Sequence, residues 1–228
     1  MASRAHSLLR NTGQQLQRLI LMDLSSPDAR LFFPATQRNR RPIGDVLAEA
    51  LPPKGLILEL ASGSGEHGVA FQKRFPQITW QCSDPDRNHC RSISAWISKE
   101  GLTTVMPQPL SLDVCSHDWL AHGSEAPVMV VAVNLLHISP WECTRSLMQG
   151  SVRHLKPGGK LLIYGPFRVS GKHVSESNQR FDDALQERDP SWGVREQEAV
   201  VEEARKAGLA LQDIRLMPSN NRIILLER

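Results

Sequence analysis

From Pro42 onward, short apolar runs alternate with amphipathic stretches. Ile43, Val46, Leu47 and Ala50 recur at helical spacing, and Pro52-Pro53 stops that helix. The run Gly55-Leu-Ile-Leu-Glu-Leu60 reads as a buried strand. Val69, Ala70 and Phe71 fit a helix that ends near Pro76, followed by a strand over 78–82, a helix over 87–99 and a third strand over 105–112. Residues 128–133 are apolar throughout and bounded by Pro127 and Asn134, the clearest strand pattern in the chain. A helix over 142–155 meets Lys156-Pro-Gly-Gly159, a turn that launches a strand over 160–164.

Repeated strand–helix–strand units predict an α/β fold with a mostly parallel sheet and helices on both faces. After a helical stretch over 194–206, strands over 209–217 and 222–226 are joined only by Pro218-Ser-Asn-Asn221. So short a link permits only an antiparallel hairpin. The division expected is a basic N-terminal arm over 1–30, outside the core, and one domain over 31–228. Within it, a long polar insertion at about 167–192 has the character of a lid.

Composition narrows the function. With 228 residues, 40% apolar and 22% charged, the chain has the profile of a soluble globule. No apolar run reaches the roughly 18 residues of a membrane span. A net charge of +3 without a concentrated basic stripe disfavours nucleic acid. Four widely spaced cysteines, with no Cys-x-x-Cys pair, speak against zinc and redox motifs and for a cytoplasmic chain. The first 22 residues hold arginines and no acid, a composition shared with organelle transit peptides; a basic arm is the plainer reading.

The richest chemistry lies between the first strand and the next helix, at Glu59-Leu-Ala-Ser-Gly63-Ser-Gly65-Glu66-His67-Gly68. Gly63 and Gly65 allow positive φ and close approach to a ligand. Read literally, Gly63 to Gly68 spells G-x-G-x-x-G, which keeps an NAD(P)-dependent oxidoreductase open as the alternative. Glu66 and His67, however, occupy the helical turn where a pyrophosphate would sit, and Glu66 would repel it. Glu59 beside the loop suits an ammonium or sulfonium, so the expected ligand is a nucleoside with a zwitterionic tail. Asp84 ends the next strand, where a carboxylate accepts from ribose hydroxyls, and Asp113 follows the third, within reach of an adenine amino group. Each aspartate alone is more ordinarily a helix cap.

These residues resemble the signature of class I S-adenosylmethionine-dependent methyltransferases: Leu-Glu-Leu-Ala-Ser-Gly-Ser-Gly65, acidic Asp84, Leu112-Asp113, and Leu155-Lys-Pro-Gly-Gly159 before a strand. Ala61 stands where most of that superfamily has its first glycine. A closer resemblance is to the family of methyltransferase-like protein twenty-six and its bacterial relatives. It rests on Gln37-Arg-Asn-Arg-Arg-Pro-Ile43, Ala61-Ser-Gly-Ser-Gly-Glu-His67, His137-Ile-Ser-Pro140, Tyr164-Gly-Pro-Phe167, Glu176-Ser-Asn178 with Phe181-Asp182, Asp189-Pro-Ser-Trp-Gly193 and Met217-Pro-Ser-Asn-Asn221.

The resemblance implies a Rossmann-like seven-stranded sheet, S-adenosyl-L-methionine as cofactor, and methyl transfer to an acceptor for which a small molecule is favoured. A cofactor-binding protein without turnover is the non-enzymatic alternative. The cofactor set is Arg38, Asn39, Glu59, Ala61, Gly63, Gly65, His67, Asp84, Asp113, Val114 and Asn134. Arg38, with Arg40 and Arg41, forms a small basic cluster that could close over the cofactor or hold an acidic substrate; a solvated helix start is the plainer reading. His137 is the first candidate base and Asp182 the second catalytic candidate; a structural histidine bonded to a carbonyl is an equal reading of the former. Tyr164, Asn178 and Phe181 are the acceptor-pocket candidates.

Overall fold

The computed structural model describes residues 28–228. The arm expected over 1–30 therefore lies almost wholly outside the described residues. Residues 28–33 run along the fold without regular structure: the Leu31 N–H donates to Ser92 Oγ at 2.8 Å, and Phe32 packs edge-on against Trp96.

Helix α1 spans Pro34–Ala50, eight residues earlier than the apolar spacing alone suggested. Pro34 sits at its first turn, where a missing N–H costs nothing. Pro42 is tolerated inside because Thr36, Asn39, Ile43, Leu47 and Ala50 form one continuous buried face. The order then runs β1 (Leu56–Leu60), α2 (Glu66–Arg74), β2 (Thr79–Asp84), α3 (Arg87–Lys99), β3 (Leu110–Ser111), β4 (Met129–Val133), a 3-10 turn (Leu136–Ile138) and α4 (Trp141–His154). It continues with β5 (Lys160–Val169), β6 (Lys172–His173), α5 (Glu176–Arg188), β7 (Arg195–Glu196), α6 (Gln197–Ala207), β8 (Ala210–Met217) and β9 (Asn221–Glu227).

The sheet order is β3-β2-β1-β4-β5-β9-β8, seven strands of which only β9 runs opposite to the rest. The expected C-terminal hairpin is β8–β9. Two further strands of two residues, β6 and β7, pair with the far end of β5. They arise because β5 runs on to Val169 rather than stopping at Tyr164. The third strand is instead much shorter than expected: Pro107 and Pro109 remove ladder donors, leaving only Leu110 and Ser111 paired.

Strand alternation divides the core. Leu58, Leu60, Val130, Ala132, Leu161 and Ile163 face α4 and α6; Ile57, Val131, Leu162 and Tyr164 face α1, α2 and α3. With both faces covered, the parallel strands end together at one edge, and the connections there are free to carry chemistry.

Candidate active site

Two adjoining chambers open at the carboxyl ends of the strands. The first, about 370 Å³, is lined by residues from the ends of β1, β2, β3 and β4; the second, about 500 Å³, lies over β4, β5 and α5. Ala35 and Asn134 line both and mark their junction. Asn134 holds φ of 59°, a left-handed conformation that Asn accepts better than most residues, and its N–H donates to Tyr164 O at 2.8 Å.

The three acids end adjacent strands and meet in the first chamber. Glu59 is the next-to-last residue of β1 and is 1% exposed. Its Oε2 accepts from Trp80 Nε1 at 2.9 Å and from Cys82 Sγ at 3.4 Å. Desolvation pushes its pKa up to about 7, against the opposing pull of those donors. Asp84 closes β2: its Oδ2 accepts the Gly63 N–H at 2.9 Å, and its Oδ1 accepts the Asp86 N–H at 2.9 Å and lies 3.0 Å from His89 Nδ1. Asp113 follows β3; its Oδ1 accepts the Cys115 N–H at 2.8 Å. Leu112, Val114, Leu135 and Ile138 supply apolar wall beside these acids.

The glycine loop is shaped by what it must approach. Gly63 has φ of 59° and faces Phe33, whose Cε2 lies 2.9 Å from where a side-chain carbon would stand. Gly65 does not line either chamber: a Cβ there would come within 2.8 Å of Ile93 Cα, so this glycine seats α2 against α3 rather than touching a ligand. Ala61, in the expected glycine position, keeps the left-handed backbone at φ 52°, at a cost of about 1 kcal/mol. Glu66 Oε2 accepts from the Phe33 N–H at 2.8 Å and Ser64 Oγ at 2.9 Å, so its carboxylate sits at the start of α2 and ties residues 28–33 to the loop.

His67 lines the first chamber and bonds Asn39 Oδ1 through Nε2 at 2.7 Å, joining α2 to α1. Burial, with a smaller contribution from Arg40, lowers its pKa to about 4. Arg38 and Asn39, assigned from sequence to the cofactor, line the second chamber instead; α1 turns them towards Tyr164 and α5. Tyr164, Asn178 and Phe181 line that same chamber, as does Asn221, the last residue of the Met217-Pro-Ser-Asn-Asn221 segment. Phe33 and His89 in the first chamber were also missed: the only signal for Phe33 was an apolar triplet, Leu31-Phe-Phe33, beside Pro34.

His137 stands on the 3-10 turn after β4, faces the second chamber and is 5% exposed. Its ring meets Phe181 edge-on at 5.4 Å, and neither ring nitrogen has a hydrogen-bond partner among the described residues. Burial first, and Arg195 second, lower its pKa to about 4. Its main chain is held by the Gly193 N–H, which donates to His137 O at 3.1 Å, and by Arg195, whose guanidinium donates to Leu136 O and Ser139 O.

Asp182 departs from its expected catalytic place. It lines neither chamber; Oδ1 accepts from the Val194 N–H at 2.7 Å and Gln186 Nε2 at 3.1 Å, and Oδ2 lies 3.3 Å from His173. Its helix turns it inward, one residue past the chamber-facing Phe181, so it fastens α5 to the segment before β7.

A family model described as "Protein of unknown function (DUF938)" matches residues 30–228. Among solved structures, the fold is similar to an O-methyltransferase family protein from Burkholderia thailandensis, with a TM-score of 0.71, 20% identity, 85% of this chain and 57% of that one covered. It is also similar to an O-methyltransferase family 2 protein from Planctomyces limnophilus in complex with apigenin (TM-score 0.67, 18% identity, 83% and 61% covered). A third is PigF with SAH (TM-score 0.70, 14% identity, 84% and 56% covered). The chain spans little more than half the length of these proteins, and at such identities the likeness shows the fold: a Rossmann-like class I methyltransferase architecture.

Proposed function

The chain belongs to the DUF938 family, and on that premise we propose that it is an S-adenosylmethionine-dependent methyltransferase acting on a small-molecule acceptor. One observation carries the reading: Glu59, Asp84 and Asp113, from the ends of three neighbouring strands, line one chamber of about 370 Å³ that adjoins a second, polar chamber. Clefts of a few hundred Å³ match bound small molecules in size. The fold of the similar structures, one of which is titled as holding SAH and another apigenin, supports the same reading.

The donor set fits the cofactor. Glu59 is the carboxylate for an ammonium tail, Asp84 for ribose hydroxyls and Asp113 for the adenine amino group, with Val114 and Leu112 against the base. Ala61 and Gly63 bring backbone close to the ligand, His67 closes the chamber beside Glu59, and Asn134 stands at the junction. When bound, the cofactor supplies an electrophilic methyl on a sulfonium. This chain's residues orient the acceptor, exclude water, and handle any proton the acceptor loses, for which the unpartnered ring of His137 is the nearest group. The dinucleotide alternative loses its footing at α2, where the Gly65 N–H is spent on Ser62 O and the Glu66 carboxylate adds a negative charge in the first turn.

Kinship with the methyltransferase-like protein twenty-six family belongs to the same proposal, on the shared segments that gather Arg38, His137, Tyr164, Asn178, Phe181 and Asn221 around the second chamber. So does a cytoplasmic location, supported by four free thiols. Among the described residues no helix is long and apolar enough to cross a membrane. The insertion, with α5 forming one wall of the second chamber, is the element proposed to open and close over the acceptor.

Calorimetric titration with S-adenosylhomocysteine tests the cofactor claim. Saturable binding that Asp84→Ala weakens is expected; no binding at millimolar concentration defeats it.

A further inference from the structure

The second chamber has an uneven charge. No Asp or Glu lines it, although acids make up 24 of the 228 residues and four of them, Glu59, Asp84, Asp86 and Asp113, line the neighbouring chamber. Its one ionised group is Arg38, which is exposed and, like Arg40 and Arg41 on the same helix, has no ion pair among the described residues; unlike those two, it lines the chamber. Burial pushes the Tyr164 hydroxyl's pKa up, against the opposing pull of Asn39, Asn221 and, least, the nearby Arg38, so the phenol stays neutral and can donate. The rest of the polar wall is neutral and rich in hydrogen-bond donors: the amides of Asn39, Asn134, Asn178 and Asn221 with Tyr164 and His137.

Two of those groups are buried and aimed inward. His137, 5% exposed, presents ring nitrogens without a protein partner. Asn178, 6% exposed, reaches Asn220 O only at 3.4 Å. Both side chains face the chamber, so their free hydrogen-bonding capacity is open to an entering ligand, which can take the place of water there. Neutral His137 adds no charge, which leaves Arg38 as the single full charge meeting whatever enters.

Resting on the methyltransferase reading of this site, we propose that the acceptor is a small carboxylate-bearing molecule whose anionic group is bound by Arg38 within the amide-lined second chamber. A planar carboxylate matches the guanidinium fork, and the remaining oxygen lone pairs match the amide donors. A cationic or amine-rich acceptor meets an uncompensated positive charge there and is rejected. At about 500 Å³ the chamber admits a metabolite, not a folded partner.

The test uses a matched pair, benzoate and benzamide, which differ in charge but barely in shape. Their affinities are measured by ligand-observed NMR on the full chain with saturating S-adenosylhomocysteine. Benzoate should bind about tenfold tighter than benzamide or better, with the advantage shrinking as salt rises. Arg38→Gln should bring the ratio near one, and Arg38→Lys should retain part of it. Ser219→Asp adds a carboxylate to the wall at an exposed, left-handed position that Asp tolerates, and should depress benzoate alone. Equal affinities, tighter benzamide, no saturable benzoate binding, or a ratio unchanged in Arg38→Gln each overturns the proposal. S-adenosylhomocysteine affinity is read on the same samples: its loss in the wild-type chain defeats the cofactor reading, while its presence without a benzoate preference defeats only the acceptor class.

Discussion

Glu59→Gln should raise the stability of the ligand-free protein above neutral pH while weakening binding of the proposed cofactor. The Glu59 carboxyl is 1% exposed, and its pKa rises from 4.5 to about 7 on folding. Because the folded value lies above the unfolded one, the folded state binds the extra proton between these limits. The stability associated with Glu59 is therefore fully present below pH 4.5 and is lost as pH rises through about 7. At about 1.4 kcal/mol per unit, the full loss is on the order of 3 kcal/mol. Gln keeps the shape and the acceptor for Trp80 Nε1 but has no charge to desolvate. Variant-minus-wild-type stability should thus climb by about 3 kcal/mol between pH 5 and pH 8.5, equivalent to ~6–12 °C in Tm for a chain of this size. Denaturant titrations followed by tryptophan fluorescence, with Trp80 against the mutated group, read it directly. The difference between the two proteins is essential, because His67 and His137 impose an opposite trend over an overlapping range. Loss of a charge-assisted bond to the ammonium tail should lower S-adenosylhomocysteine affinity by about 10–100-fold. Stability profiles that run parallel from pH 5 to 8.5 would refute the reasoning, since Glu59 would then be ionised or solvated throughout.

Asp84→Ala removes the acceptor for the Gly63 and Asp86 N–H groups as well as the proposed ribose contact, so cofactor affinity should fall about 100-fold or more by calorimetry, with a smaller loss of Tm. On the acid side, the His67 and His137 pKa values, lowered to about 4, mean that stability is complete above pH 6.5 and is lost as pH falls towards 4; His137→Asn should flatten that limb by up to ~3 kcal/mol in urea titrations at pH 4.5 and 7. Gly68→Ala places a Cβ 2.3 Å from Cys82 Sγ and 2.9 Å from Glu59 Oε2, forcing α2 off the sheet at a cost of about 1–3 kcal/mol and disturbing the cofactor chamber; Gly123→Ala, with nothing within 4 Å, should leave cofactor affinity unchanged in the same calorimetric assay. Arg195→Gln strands carbonyls of the turn bearing His137 and should cost about 2–4 kcal/mol in denaturant titrations, with altered His137 imidazole NMR signals.

What the sequence by itself determined is the local order: the buried strand over 128–133, the 87–99 helix, the loop beginning at Glu59, and a hairpin whose short link could be closed in only one direction. Hydrophobic period and turn residues act over a few positions, and they are visible without any partner. Even there, Pro107 and Pro109 shortened the third strand and Pro42 failed to begin α1, because pairing and burial outweighed local preference. The meeting of Glu59, Asp84 and Asp113 was inferable, since parallel strands must end at one edge. Only the tertiary structure decided the division of labour between the chambers. It set Arg38 and Asn39 in the second chamber rather than beside Glu59, Asp84 and Asp113, turned Asp182 into a fastening for α5, and gave Gly65 to helix packing. Those outcomes depend on how α1 and α5 lie across the ends of β4 and β5. Such orientations are set by packing between residues from about ten to more than a hundred positions apart, and no local pattern along the chain encodes them.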